Sequence, residues 1–194
     1  MRLWYRTGDI TALREISCDR VVCLDVESTG LDPRSDEVLQ IALVRGDGEV
    51  SLSRYVRPEH HSSWPLAQRT HGISPSMVTG CPSLVLLKPE IEEFFEGTDL
   101  IVGYNVAFDL LFLQTAGISF GNASVFDVMR EFAPVAGRWD AARQRYPTRG
   151  LGELQGYIAP CSRRPLGPRL LHRRELRCLM LSRLRRASVA HVGR

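Results

Sequence analysis

Lysine is almost missing from this chain: of 25 basic residues, only Lys88 is not arginine. Cysteine is sparse and odd in number (Cys18, Cys23, Cys81, Cys161, Cys178), with no C-x-x-C pair, which argues against a disulfide framework and against a zinc site. No apolar run is long enough to span a bilayer. Met1 to Arg6 lacks the apolar core of a secretory signal. The expectation is a cytoplasmic protein with reduced thiols and no membrane partner. After Pro160 there is neither an aspartate nor an aromatic residue, an absence that bears on function below.

What remains is the text of one globular domain. The 194 residues are 44% apolar and 24% charged, enough for a single α/β domain with its own core. The net charge of +3 conceals a split: residues 161–194 hold ten arginines and one glutamate, so the first 160 residues carry a net −6. A basic tail on an acidic domain suits nucleic acid phosphates.

Residues 1–19 are a weakly patterned lead-in. A β-branched apolar run over about 20–26 reads as a buried strand. Val38 to Val44 and Val50 to Val56 read as two more strands, joined at Gly46-Asp47-Gly48 as a hairpin. Pro58 to Met77 is loop and short helix, with Ser74-Pro75 as a helix start. Leu84, Leu87, Ile91, Phe94 and Phe95 recur at helical spacing, and Glu90, Glu92, Glu93 and Glu96 form a solvated face. Leu100 to Val102 is another buried strand, leading into a helix on which Phe108, Leu111 and Phe112 share a face. Val125 to Met129 is a short strand or a helix start. The basic segment from Trp139 to Arg149 is a connector or a loop beside nucleic acid, and Leu151, Leu154 and Tyr157 mark a short amphipathic helix. Residues 20–159 thus form the domain and 160–194 an arginine-rich tail.

Two acids interrupt the first strand, at 25 and 27. Side chains two apart on a strand project from one face, so Asp25 and Glu27 point together. Adjacent carboxylates repel unless a cation lies between them, and oxygen-only ligation suits Mg²⁺ or Mn²⁺. Taken alone, the pair reads equally as the solvated end of a strand. Ser28-Thr29-Gly30 then turns the chain, glycine being free to bring backbone close to a substrate. Asp109 has a double reading too: an acid favoured by the dipole at a helix start, or a third ligand delivered at a strand–helix junction.

Three stretches together resemble the DnaQ-like 3′→5′ exonucleases, the superfamily named for its D-E-D-D acids. Leu24-Asp25-Val26-Glu27-Ser28-Thr29-Gly30-Leu31 is similar to its D-x-E-T-T-G-L. Thr70-His71-Gly72-Ile73 is similar to its H-G-I segment. Val102-Gly103-Tyr104-Asn105-Val106-Ala107-Phe108-Asp109 is similar to V-x-H-N-x-x-F-D, with Tyr104 in the usual histidine place. Order and spacing agree over roughly residues 20–158, and the nearest likeness is to the proofreading exonucleases of bacterial replicative polymerases.

The resemblance implies an α/β, ribonuclease-H-like mixed sheet flanked by helices, with the acids clustered at the sheet's edge. It implies two divalent ions, Asp25 bridging both while Glu27 and Asp109 each complete one shell. One ion would activate a water toward the terminal phosphodiester, and the other would stabilise the leaving 3′ oxygen. Ser28, Thr29, Gly30 and Leu31 would bind the terminal nucleotide, Leu31 by wedging against its base, and Asn105 and Phe108 would shape the floor. His71 would order a loop. The implied partners are a nucleic acid 3′ end, single-stranded DNA first, and a polymerase subunit.

One family motif is missing. The resemblance calls for H-x-A-x-x-D after Tyr157, giving a general base and a fourth acid, but His172 is followed five residues later by Arg177, and no aspartate follows Asp140. Asp127 matches a different family acid that supports structure. Read one nucleotide later, codons for residues 160–168 can spell an octet containing H-x-A-x-x-D. Residues from about 160 onward are therefore expected to be an out-of-frame end, the alternative being a genuine arginine-rich arm on phosphates. The function expected is two-metal 3′→5′ exonuclease chemistry, impaired by that loss. The alternative is a catalytically silent module that binds nucleic acid or a polymerase.

Overall fold

The computed structural model of the protein describes residues 16–48, 51–136, 140–145 and 147. The helix expected around Leu151 to Tyr157, His172 and the whole arginine-rich tail lie outside the described residues, as does most of the lead-in.

The first strand, β1 (Val21–Ser28), runs past its expected end and carries both acids within the strand. Next come β2 (Val38–Arg45) and β3 (Ser51–Tyr55), which pair antiparallel as the hairpin signal predicts. Three helices follow: α1 (Pro65–His71), α2 (Pro75–Val78) and α3 (Leu84–Phe95). Then come β4 (Leu100–Gly103), α4 (Val106–Thr115), β5 (Ser124–Asp127) and α5 (Val128–Ala136). The segment from Val125 to Met129 is therefore both of its expected alternatives, since β5 runs directly into α5.

The five strands form one mixed sheet in the order β3-β2-β1-β4-β5. β1 pairs antiparallel with β2 and parallel with β4, and β4 pairs parallel with β5. This is the mixed, helix-flanked α/β sheet expected. The position of the acids needs one correction. They do not lie at the lateral edge, because crossovers through α3 and α4 place β4 and β5 beyond β1 and make β1 the central strand. The acids occupy its C-terminal end, past its last pairing with β4 at Cys23–Val102. That is the switch point of the sheet, where ligands of open α/β folds collect.

The two faces of β1 have different cover. Val22, Leu24 and Val26 pack into the main core with Leu87, Ile91 and Phe95 of α3 and Leu110 and Leu113 of α4. Ile91 and Leu113 are fully buried, and truncating such a residue costs about 2–5 kcal/mol. On the opposite face Val21, Leu100, Val102 and Phe126 form a smaller cluster, joined by Cys23 and Val128. Asp25 and Glu27 continue the Cys23 face beyond that cluster. A second correction concerns α4: Phe112 is buried, but Leu111 is 50% exposed and Asp109 is buried in its stead. The helix is apolar on nearly every side, so periodicity alone could not select its inner face. Pro89 lies inside α3; it and Val85, whose carbonyl loses its bond there, both face solvent. Among the described residues no helix is long and apolar enough to cross a membrane.

Candidate active site

Strand geometry brings the two motif-one acids together as expected. Asp25 stands opposite Ala42 and Glu27 opposite Gln40 on β2. The register shifts between Glu27 and Ser28, a bulge that sharpens the twist where the strand ends. Asp25 is open to solvent, Glu27 is half-buried, and Asp109 is only 4% exposed. The Val26 amide lies beyond the β1–β4 ladder, and its N–H donates to Asp109 Oδ1 at 3.2 Å. One hydrogen bond thus ties the third acid to the strand between the other two.

The charges of these acids reach one another. Burial, the charge of Asp25 and that of Glu27 together push the Asp109 carboxyl up to about 8, against the opposing Val26 hydrogen bond. Burial and the charge of Asp25 push Glu27 up to about 7. Asp25 is raised by desolvation alone. Among the described residues, no basic side chain enters the balance of any of the three.

The corner that delivers Asp109 is tightly drawn. A Cβ at Gly103 would lie 2.9 Å from the Leu24 carbonyl and 2.8 Å from Val106 Cβ, so only glycine lets β4 end against β1 there. Asn105 caps α4 in the left-handed conformation, at φ 61° and ψ 35°, which asparagine tolerates better than most residues. Its side chain is exposed, while Phe108 is half-buried and packs against Phe112, the rings tilted at 56° with centroids 4.9 Å apart.

The turn after β1 is held from behind. Ser28 Oγ donates to the Gly30 carbonyl at 2.6 Å. Thr29 Oγ1 donates to Asp36 Oδ1 at 3.0 Å and accepts the Glu37 N–H at 2.9 Å. Both hydroxyls are buried and engaged within the loop. Of the four residues expected to bind the terminal nucleotide, Leu31 projects outward, 84% exposed. His71 does what the sequence suggests: its Nδ1 accepts the Ile73 N–H at 3.0 Å, leaving Nε2–H to donate to the Ser28 carbonyl at 3.2 Å. Desolvation lowers its pKa, which keeps this neutral tautomer. It orders the loop.

The profile of the family described as Exonuclease matches residues 22–158. The chain belongs to that exonuclease family. Similar proteins include the PolC-type DNA polymerase III of Clostridium perfringens, 31% identical over 57% of this chain and 8% of the relative. The DNA polymerase III subunit epsilon of Aquifex aeolicus is 31% identical over 54% of each. The exonuclease chain thus spans a small part of the first relative and about half of the second. Among solved structures, Escherichia coli exonuclease I in complex with a dA16 oligonucleotide aligns over 86% of this chain and 40% of its own, with a TM-score of 0.62 at 20% identity. Exonuclease I of Methylocaldum szegediense aligns with a TM-score of 0.61 at 20% identity, again over 86% and 40%. At that identity they show a shared fold.

The donor set of this chain fits a hard divalent cation in kind: three carboxylates, oxygen only, with Asp25 raising the proton affinity of the other two and Glu27 that of Asp109. Among the described residues, no three acidic, histidine or cysteine side chains already stand gathered at ion-holding distance. Sequence reasoning missed the support of the site. Asp36 and Glu37 tie the turn to the 59–61 loop: Glu37 accepts backbone N–H groups from Glu59, His60 and His61, at 2.6, 3.0 and 2.9 Å, and His61 Nδ1 lies 2.8 Å away. Residues more than twenty apart carry no periodic signature; an acid immediately before a strand was the only signal. Asp127, read as structural from the resemblance, is the other such support.

Proposed function

We propose that this chain removes nucleotides from the 3′ end of single-stranded DNA by hydrolysis, with divalent ions held by Asp25, Glu27 and Asp109. The observation that carries the reading is that Asp25, Glu27 and Asp109 lie within electrostatic reach of one another, Glu27 and Asp109 being pushed up to about 7 and about 8, with no basic partner among the described residues. Three such groups at the mouth of a fold are costly unless a cation joins them.

When bound, the ions supply Lewis acidity to a water and to the phosphate. The protein does the rest. Asp25, open to solvent, would hold the cations together with Glu27 and Asp109, which must give up their protons to do so. Val26 N–H keeps Asp109 aimed while it does so. Leu31 offers an exposed apolar surface to the terminal base, and Asn105 and Phe108 are the residues the resemblance assigns to the pocket floor. Ser28 and Thr29 act through the loop backbone they fix.

The motif that would bring a general base has no counterpart after residue 159. Losing such a base costs about 10²–10⁴ in rate, so turnover is slow and favours Mn²⁺, which tolerates irregular shells. We read the tail as out-of-frame coding, a reading that codons unable to spell the octet would overturn. The missing motif also favours a second reading, a silent module that holds single strands or a polymerase; the PolC and epsilon relatives make a polymerase the partner to test.

The test is a 5′-labelled single-stranded oligonucleotide incubated with Mg²⁺ and Mn²⁺ in turn, with Asp25→Ala as control. A ladder shortening from the 3′ end, abolished by Asp25→Ala, is expected. A folded protein that releases no more than the control would transfer support to the silent module.

A further inference from the structure

We propose that Asp127 is a positioning residue for the acid cluster: by holding the left-handed backbone of Asn105 it sets the corner from which α4 delivers Asp109 to β1. The proposal rests on the exonuclease reading for its consequence, but not for its geometry.

Asp127 ends β5 opposite Gly103 and is 1% exposed. Its Oδ1 accepts two backbone N–H groups, from Met129 and from Asn105, each at 3.0 Å. The Met129 bond is an ordinary helix cap for α5, which serine, threonine or asparagine would supply equally. The Asn105 bond crosses to another element, twenty-two residues away. It meets a backbone N–H in a residue held at φ 61°, and the Asn105 carbonyl in turn accepts the Phe108 N–H at 2.9 Å. Asn105 is therefore fixed on both sides, and the first turn of α4 with it. Asp109 leaves that turn to accept the Val26 N–H.

A second observation shows that capping alone does not account for the residue. Asp127 Oδ2 is buried with no hydrogen-bond partner among the described residues. The Arg130 Nε is 3.8 Å away on a half-exposed side chain. A serine would cap α5 without burying an unmet carboxylate oxygen. What serine lacks is length: it cannot reach Asn105. The longer side chain is retained at the expense of an unmet oxygen because it spans the two corners.

Three variants of the full chain separate the roles. Asp127→Ser keeps the cap and loses the reach, Asp127→Asn keeps both, and Asp127→Ala loses both. The first readout is the amide spectrum of ¹⁵N-labelled protein in EDTA, which needs neither metal nor activity. In Asp127→Ser the Asn105 and Val26 amide protons are expected to move upfield together while Met129 holds its place, and Asp127→Asn is expected to restore them. The second readout is Mn²⁺ affinity, expected to fall about 10–100-fold in Asp127→Ser, as for other partners that orient ligands. A folded Asp127→Ser whose Val26 amide does not move would overturn the proposal. So would a Ser variant that fails to fold, since Asp127 would then serve the core, or an Asn variant that restores nothing. If the wild type binds no Mn²⁺ and cuts no DNA, the exonuclease reading falls, while the amide readout still decides the positioning role.

Discussion

Replacing Asp109 with asparagine should make the metal-free protein more stable while removing a residue the proposed chemistry needs. Asp109 is buried, and its carboxyl is pushed up to about 8 by burial, Asp25 and Glu27. Against an ordinary aspartate near 3.9, keeping that proton at pH 7 costs on the order of 4 kcal/mol, at about 1.36 kcal/mol per pH unit. That figure is a ceiling, because the three acids share one field and the cluster relaxes; we expect Asp109→Asn to recover about 1–3 kcal/mol. The amide oxygen still accepts the Val26 N–H, so no new unmet donor is created. At about 2–4 °C per kcal/mol for a chain of this size, the melting temperature rises by roughly 2–12 °C. The sign with pH is fixed. A carboxyl raised in the folded state leaves stability intact below its unfolded value and erodes it as pH climbs through the folded one. The gain is thus greatest near pH 8, shrinks on acidification and vanishes below about pH 4. Thermal melts in EDTA at pH 4.5, 6 and 8 measure it. A variant less stable than wild type at pH 8, or a gain indifferent to pH, would refute the reasoning.

Two further substitutions test the support of the turn. A Cβ at Gly30 would come within 2.6 Å of Asp36 Cγ, so Gly30→Ala must displace Asp36 from Thr29 Oγ1 and the Asp32 N–H. We expect a loss of about 1–2 kcal/mol in a denaturant titration, and an unchanged midpoint would mean that the loop yields freely. Desolvation raises Glu37, but its hydrogen bonds from Glu59, His60 and His61 outweigh that and lower it. Its stabilisation is therefore present above the ordinary glutamate pKa and lost as pH falls through the lowered one. Glu37→Ala should cost about 2 kcal/mol at pH 7 and progressively less in acid; a cost that persists at pH 3 would contradict the assignment.

How much of the site was legible depended on whether a local rule forced the geometry. Asp25 and Glu27 were legible because period two leaves them no choice but one face. The β2–β3 hairpin was legible from its glycine turn, and the mixed, helix-flanked character of the sheet followed from the resemblance. The central place of β1 had no signal in the sequence, because it depends on where two crossovers land. The burial of Asp109 was hidden by a helix apolar all round, in which only tertiary contact with Val26 selects the inner face. Ser28 and Thr29 looked like substrate contacts, whereas their hydroxyls close on the Gly30 carbonyl and on Asp36 and Glu37. Nothing local marks His61 as a partner of Glu37, or Asp127 as a partner of Asn105, since each pair meets only once the sheet is built.

The most direct test of the central claim, that Asp25, Glu27 and Asp109 form one divalent-cation site, is the proton balance of Mn²⁺ binding. Calorimetry at pH 7 in two buffers of different ionisation enthalpy reads it without any nuclease turnover. With Asp109 near 8 and Glu27 near 7, binding should expel roughly one to two protons per protein, because ligands must deprotonate. The number should shrink toward zero at pH 9 and binding should be lost in Asp25→Ala. Binding that releases no proton at pH 7, or a folded protein that takes up no Mn²⁺ at all, would contradict the account.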